Sequence, residues 1–176
     1  MPNNNTDESA IVSQTITQKI RDVSPASILE DGVEWKIIDH ETETRDDVEI
    51  ITVEPNIQGP YVLLRVQLKK PDSRHTLVHW FAERDIHLKN EQKLLSYWQK
   101  HRGRQNAVEL PSDVVHLLRI IKEKDVKKDE GYGKKKFLMQ FVGCSKSEAQ
   151  WWWASTVKEA YIELYEEWVH RASGSN

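Results

Sequence analysis

Cysteine is almost missing from this chain: Cys144 is the one thiol in 176 residues. That excludes an intramolecular disulfide and any multi-cysteine zinc site. No apolar run approaches the roughly 20 residues needed to span a bilayer, so no membrane partner is expected. The first 30 residues lack the basic start and apolar stretch of a secretory signal, which points to an intracellular protein. A Gly-rich phosphate loop and a Ser/His/Asp set at recognisable spacing are both missing, so the expectation is no enzyme and no cofactor. Strong charge of one sign is lacking too. With 25 Lys+Arg against 28 Asp+Glu the formal net charge is −3, which argues against coating nucleic acid by bulk charge. What the chain does have is bulk: seven Trp, five Tyr and three Phe, enough to build cores from few large pieces.

Met1 to about residue 29 is rich in Asn, Thr, Ser and Gln and has no aromatic, and reads as a disordered tail. Ile11, Val12, Ile16 and Ile20 show only loose helical spacing there. From Glu34 the pattern changes to strands around Trp35 and Ile37, over Val48–Val53, over Tyr61–Leu68 and over His75–Phe81. A helix is expected over Asn90–His101. After a linker at 105–112 the order recurs. Strands are expected at Val114–Lys122, Phe137–Val142 and Gln150–Ala154, and one helix over Val157–Arg171. Tyr97-Trp98 and Leu164-Tyr165 stand about 68 residues apart, the mark of an internal duplication. The expected fold class is α+β: two tandem small domains, 30–104 and 113–172, each a three-stranded antiparallel sheet with a C-terminal helix, the first behind the tail and the second followed by a disordered end at 173–176.

Phe137-Leu138-Met139-Gln140-Phe141-Val142-Gly143-Cys144-Ser145 resembles the second strand and turn of a chromodomain. Glu159–Val169, through Ile162-Glu163-Leu164-Tyr165-Glu166-Glu167, is similar to the last helix of the chromo shadow domain, and so is Gln92–His101. The resemblance covers about 34–102 and 113–171. It implies a non-enzymatic nuclear adaptor in heterochromatin assembly or gene silencing, partnered by itself, by another chromo-shadow-domain protein or by other chromatin factors. Chromo shadow domains pair through their final helices, with an aliphatic residue three before the second helix aromatic at the contact. Counting back from Tyr165 gives Ile162, and from Trp98 gives Leu95.

The helical wheel divides the second helix in the same way. Val157, Tyr161, Leu164 and Trp168 form one stripe, sufficient for a core, while Ile162, Tyr165 and Val169 fall on a second sector. Domains this small bury little surface, and association is a usual remedy. The alternative is one thick core shared by both repeats. Shadow-domain dimers also clasp an extended Pro-x-Val-x-Leu segment, helped by a tryptophan beyond the helix. Arg104 and Arg171 stand at those places here, which speaks against that mode.

Two other chemistries compete. Reading methyl-lysine requires two or three aromatic faces around one cavity. At the places the chromodomain uses, this chain offers Val114 or Val115, Phe141 and Cys144, so a methylated histone tail fits poorly unless Phe141, Trp151 and Trp153 rebuild a cage. Nucleic acid could meet Lys127, Lys128, Lys134, Lys135 and Lys136, a hairpin that also holds Lys122 and Lys124. Interleaved Glu123, Asp125, Asp129 and Glu130 cancel much of that charge, so the expected contact is weak and salt-sensitive. Metal binding has little support. His75 and His79 lie about 13 Å apart along a strand, and His40, His87, His101, His116 and His170 read as surface residues. Lys146 near Cys144 would lower that thiol's pKa.

Overall fold

In Tyr61–Lys69 six of nine side chains are buried, with Tyr61 and Leu63 on one face and Val62, Leu64, Val66 and Leu68 on the other, as suits a strand in the middle of its sheet. The computed structural model, which describes residues 23–30, 32–43, 60–70, 74–108, 110–111, 114–127 and 133–174, places it there. The first sheet runs β1 (Glu34–Glu43), β2 (Tyr61–Lys69), β3 (Thr76–Ala82), antiparallel throughout. Trp35, Val62, Leu64, Val66 and Leu68 face the first core. Tyr61 and Leu63 pack on the other side with Val23 and Trp80. The second sheet repeats the order with β4 (Leu117–Asp125), β5 (Lys135–Phe141) and β6 (Gln150–Trp153). The α+β expectation of two three-stranded antiparallel sheets, each followed by helix, holds.

Each sheet is followed by a short helix and then a long one. A short one, α1 (Glu83–Lys89), is broken at Asn90, which opens α2 (Glu91–Lys100) by accepting the Lys93 backbone N–H at 2.9 Å. A four-residue α3 (Arg104–Ala107) follows. In the second repeat α4 (Ala154–Ala160) breaks at Tyr161 before α5 (Ile162–Ser173). The single helix expected over Val157–Arg171 is therefore two. Tyr161 leaves helical geometry (φ −140°, ψ 54°), and its ring packs on Trp152 at 6.0 Å. The short helices start at Glu83 and Ala154, and the long ones at Glu91 and Ile162, each pair 71 residues apart.

Packing aligns the long helices one residue differently. Leu94 and Trp98 fill the first core, and Leu164 and Trp168 sit at the matching places in the second. On that alignment Leu95 corresponds to Tyr165, not to Ile162. The partners of Ile162 and Val169 are Gln92 and Gln99.

Three boundaries move. The tail expected over 1–29 ends earlier: Ser24 donates its backbone N–H to the Trp80 carbonyl at 2.8 Å, and Leu29 is fully buried in the first core. Residues 105–112 are not a free linker, since Val108 is buried and Leu110 packs beside it. At the other end α5 runs to Ser173, whose hydroxyl donates to the Val169 carbonyl. The helical spacing at Ile11–Ile20, the strand over Val48–Val53 and Lys128 all lie outside the described residues. No described helix is long and apolar enough to cross a membrane.

Candidate functional site

The two repeats are joined by a polar seam. Glu83, His87 and Glu91 lie along the α1–α2 corner and face the turn after β5. The Glu83 carboxylate, 2% exposed, accepts from Trp98 Nε1 at 2.8 Å and from Arg104 through two nitrogens at 2.7–3.0 Å. Glu91 accepts from Gln140 Nε2 and from the Arg119 guanidinium, both at 3.1 Å. Gln140 is fully buried and satisfied, accepting from Arg119 Nε and donating to the Cys144 carbonyl. Arg84 adds an ion pair to Glu167 of α5 at 3.5 Å.

His87 is the seam's titratable member. Its Nδ1 accepts the Gly143 backbone N–H at 3.1 Å, so the proton must sit on Nε2. Burial pulls its pKa down from 6.5 to about 4, against the opposing pull of Glu91. His116, half-buried with Nε2 unpartnered among the described residues, is lowered to about 4 by burial and by Arg104. Neither is the surface residue expected from sequence.

The sign follows from proton counting. Between pH 4 and 6.5 the unfolded chain binds protons that the folded one refuses, so stability is complete above about 6.5 and falls as pH drops towards 4. His87 should contribute on the order of 3 kcal/mol across that window, with less from the more exposed His116. Urea midpoints at pH 7 and 5 measure the loss. His87→Asn, which keeps an acceptor near Nδ1 but does not titrate, should flatten the dependence, and an unchanged slope would refute the assignment.

On α5 the expected partner-contact residues separate. Ile162 and Val169 are 45% and 40% exposed, two turns apart on one stripe. Tyr165 is instead half-buried, its ring 6.1 Å from Phe137 and capped by Lys158 at 4.6 Å, because it completes the rim of the second core. Leu95 is not on a free helix face either. It lines a groove of about 870 Å³ between the repeats, with Trp98, Val115, Phe141, Cys144 and Trp152.

The alternative cage of Phe141, Trp151 and Trp153 does not assemble. Strand alternation sends Phe141 inwards against Trp152, their centroids 6.0 Å apart, and sends Trp151 and Trp153 to the opposite face of the sheet. There Lys124 lies 4.0 Å from the Trp151 ring, and Lys136 3.9 Å from that of Trp153. Of the hairpin lysines, Lys127 and Lys134 are exposed and Lys135 pairs with Glu123 at 2.9 Å. Among the described residues no three His, Cys, Asp or Glu side chains could hold a metal together. Burial raises the Cys144 pKa, seconded by Glu148, the reverse of the shift expected from Lys146.

The sequence reading missed His40 as well as the seam. Its Nδ1 accepts from the Tyr97 hydroxyl at 2.6 Å while Nε2 donates to the Ala107 carbonyl at 3.0 Å. Burial, with Asp39 nearby, pushes the Tyr97 phenol up to about 12. This pair ties β1 to α2 and α3. Comparison of the chain with family models, curated proteins and solved structures finds no match.

Proposed function

We propose that this protein is a non-enzymatic adaptor that works by association through α5 of its second repeat. The observation that carries the reading is the contrast between the two long helices. Where α5 exposes Ile162 and Val169, α2 carries Gln92 and Gln99, both solvated. The stripe is polar in the copy whose helix corner is engaged within the chain and apolar in the other. The favoured occupant is the same helix of a second copy. A two-fold axis between antiparallel helices sets Ile162 of each against Val169 of the other. It also brings the acidic first half of α5, Glu163 and Glu166, towards the basic end at His170 and Arg171.

The resemblance of Phe137–Ser145 and Glu159–Val169 to chromo and chromo shadow domains supports a setting in nuclear heterochromatin assembly or gene silencing. The inward position of Phe141 weighs against a methyl-lysine reader.

Light scattering on the full chain should give a mass near twice 20.6 kDa. Ile162→Glu should return it to the monomer mass with an unchanged circular dichroism spectrum, since an unpaired buried charge costs several kcal/mol. Gln92→Glu, at the matching place in the first repeat, should change nothing. A monomeric wild type at high micromolar concentration would sink self-pairing, and mixing with a chromo-shadow-domain protein would then test the hetero-pair. An Ile162→Glu protein that unfolds would mean Ile162 is core.

A further inference from the structure

Along Lys122-Glu123-Lys124-Asp125 basic and acidic residues alternate, and in sequence they cancel. In a strand they do not, because successive side chains leave opposite faces. The ladder sets Lys122 opposite Leu138 and Trp151, and Lys124 opposite Lys136 and Trp153. The acids fall on the other side: Glu123 stands opposite Phe137, Asp125 opposite Lys135, and Glu123 pairs with Lys135 at 2.9 Å. A hydrogen bond from the Val126 N–H to the Lys134 carbonyl extends the ladder one step, so alternation adds Lys134 to the basic face. The second sheet thus puts four of the lysines with Trp151 and Trp153 on its outward face, and Glu123 and Asp125 with Lys135 on the other. At its far end the same face is closed by the seam, where Arg119 and Gln140 meet Glu91.

We propose that this face binds single-stranded nucleic acid, with Trp151 and Trp153 as stacking platforms and Lys122, Lys124, Lys134 and Lys136 as phosphate contacts. Both indoles are half-exposed, and β6, which carries them, is an edge strand of its sheet. Two residues along a strand place them about 6.6 Å apart, roughly twice the 3.4 Å per-strand rise of a stacked duplex. Bases reach both rings only if they are splayed, which a single strand allows and a duplex does not. The lysines now lie over the rings, at 4.0 Å from Trp151 and 3.9 Å from Trp153. Cation–π contacts at exposed sites are weak, so an arriving phosphate draws each ammonium off its ring as a base takes the vacated face. A polyanion of flat rings satisfies both halves of this surface at once; an acidic peptide satisfies one.

The test is fluorescence anisotropy of the full chain with a labelled 12-nucleotide oligouridylate, a duplex of equal length and a poly-glutamate peptide. The single strand should bind with a log–log salt slope of about −2 to −3, at roughly −0.7 for each lysine engaged. Lys124→Glu at an exposed position and Lys136→Glu at a half-buried one, each shown to keep its fold by circular dichroism, should each weaken it about tenfold or more. Trp151→Ala should weaken it roughly five-fold or more while leaving the salt slope near its original value. Lys135→Glu, equal in charge change but on the acidic face, should stay within about twofold. Four results would overturn the proposal: an equal loss for Lys135→Glu, a duplex that binds as tightly, no oligouridylate binding at 100 micromolar protein (about −5.5 kcal/mol), or tighter binding of poly-glutamate, which would make the partner a protein.

Discussion

Glu83→Ala should lower the melting temperature by roughly 10 °C. The carboxylate is 2% exposed and holds three donors, one from Trp98 and two from Arg104. Without it the Arg104 guanidinium, whose side chain is only 15% exposed, stays in the seam with no counter-charge, and the Trp98 N–H loses its acceptor. Breaking a buried pair by removing one partner costs about 3–5 kcal/mol, and for a chain this long each kcal/mol moves the midpoint by roughly 2–4 °C. Glu83→Gln keeps an acceptor for Trp98 but not the charge, and should fall between wild type and alanine. Arg104→Ala strands the carboxylate instead and should cost a similar amount. The double substitution should cost clearly less than the two singles added, because the second removal meets no partner. Melting curves of the four proteins decide it. A Glu83→Ala chain within about 0.5 kcal/mol of wild type would mean that the pair is solvated and the seam open.

Glu83 is also where the sequence stopped being readable. The strands came from alternation and turn chemistry, and Tyr61–Lys69 could be placed in advance because Gly59-Pro60 and Lys69-Lys70-Pro71-Asp72 bound it. The helix opening at Asn90 was legible from Leu94, Leu95, Tyr97 and Trp98, which fall close to one side of a helix. α1 was not: Glu83-Arg84-Asp85-Ile86-His87-Leu88-Lys89 has two buried polar residues on its inner side, so its burial does not follow an apolar stripe. Glu83 is buried against Trp98 and Arg104, 15 and 21 residues on, and His87 against the other repeat, more than 50 residues away, so neither contact leaves a trace in the local pattern. The break at Tyr161 was hidden because an aromatic at that place fits a continuous helix equally well.

The exposure of Ile162 and Val169 was legible from the wheel, because solvation follows the helical period. Trp151 and Trp153 share a face as strand alternation requires, but Phe141 of β5 lies on the other one with Trp152, so the three rings cannot form one cage. The same rule separated the alternating charges of Lys122–Asp125 onto two faces, which a count of charges cannot reveal.

Gly143→Ala should destabilise the chain by about 3 kcal/mol or more, and the reason is geometric. The glycine sits at φ +77°, where an L-residue pays roughly 1–2 kcal/mol for its Cβ. That Cβ would also overlap the Cδ and Nε of Arg104 and crowd the Glu83 carboxylate, so the buried pair must part or the second repeat must lift from α1. Lifting costs the Gly143 N–H its bond to His87. Gly32 supplies the internal control, since at φ +90° an added Cβ meets nothing within 4 Å. Gly32→Ala should therefore show the backbone strain alone, and the difference between the two substitutions measures the overlap. Placing Gly143→Ala on an Arg104→Ala background removes the atoms it strikes, and its further cost there should shrink towards that of Gly32→Ala. Urea midpoints at pH 7, where His87 is neutral, give all four values under one condition. Equal losses for Gly143→Ala and Gly32→Ala would show that the turn after β5 yields without disturbing the Glu83–Arg104 pair, and the seam would then not hold the repeats in one fixed arrangement.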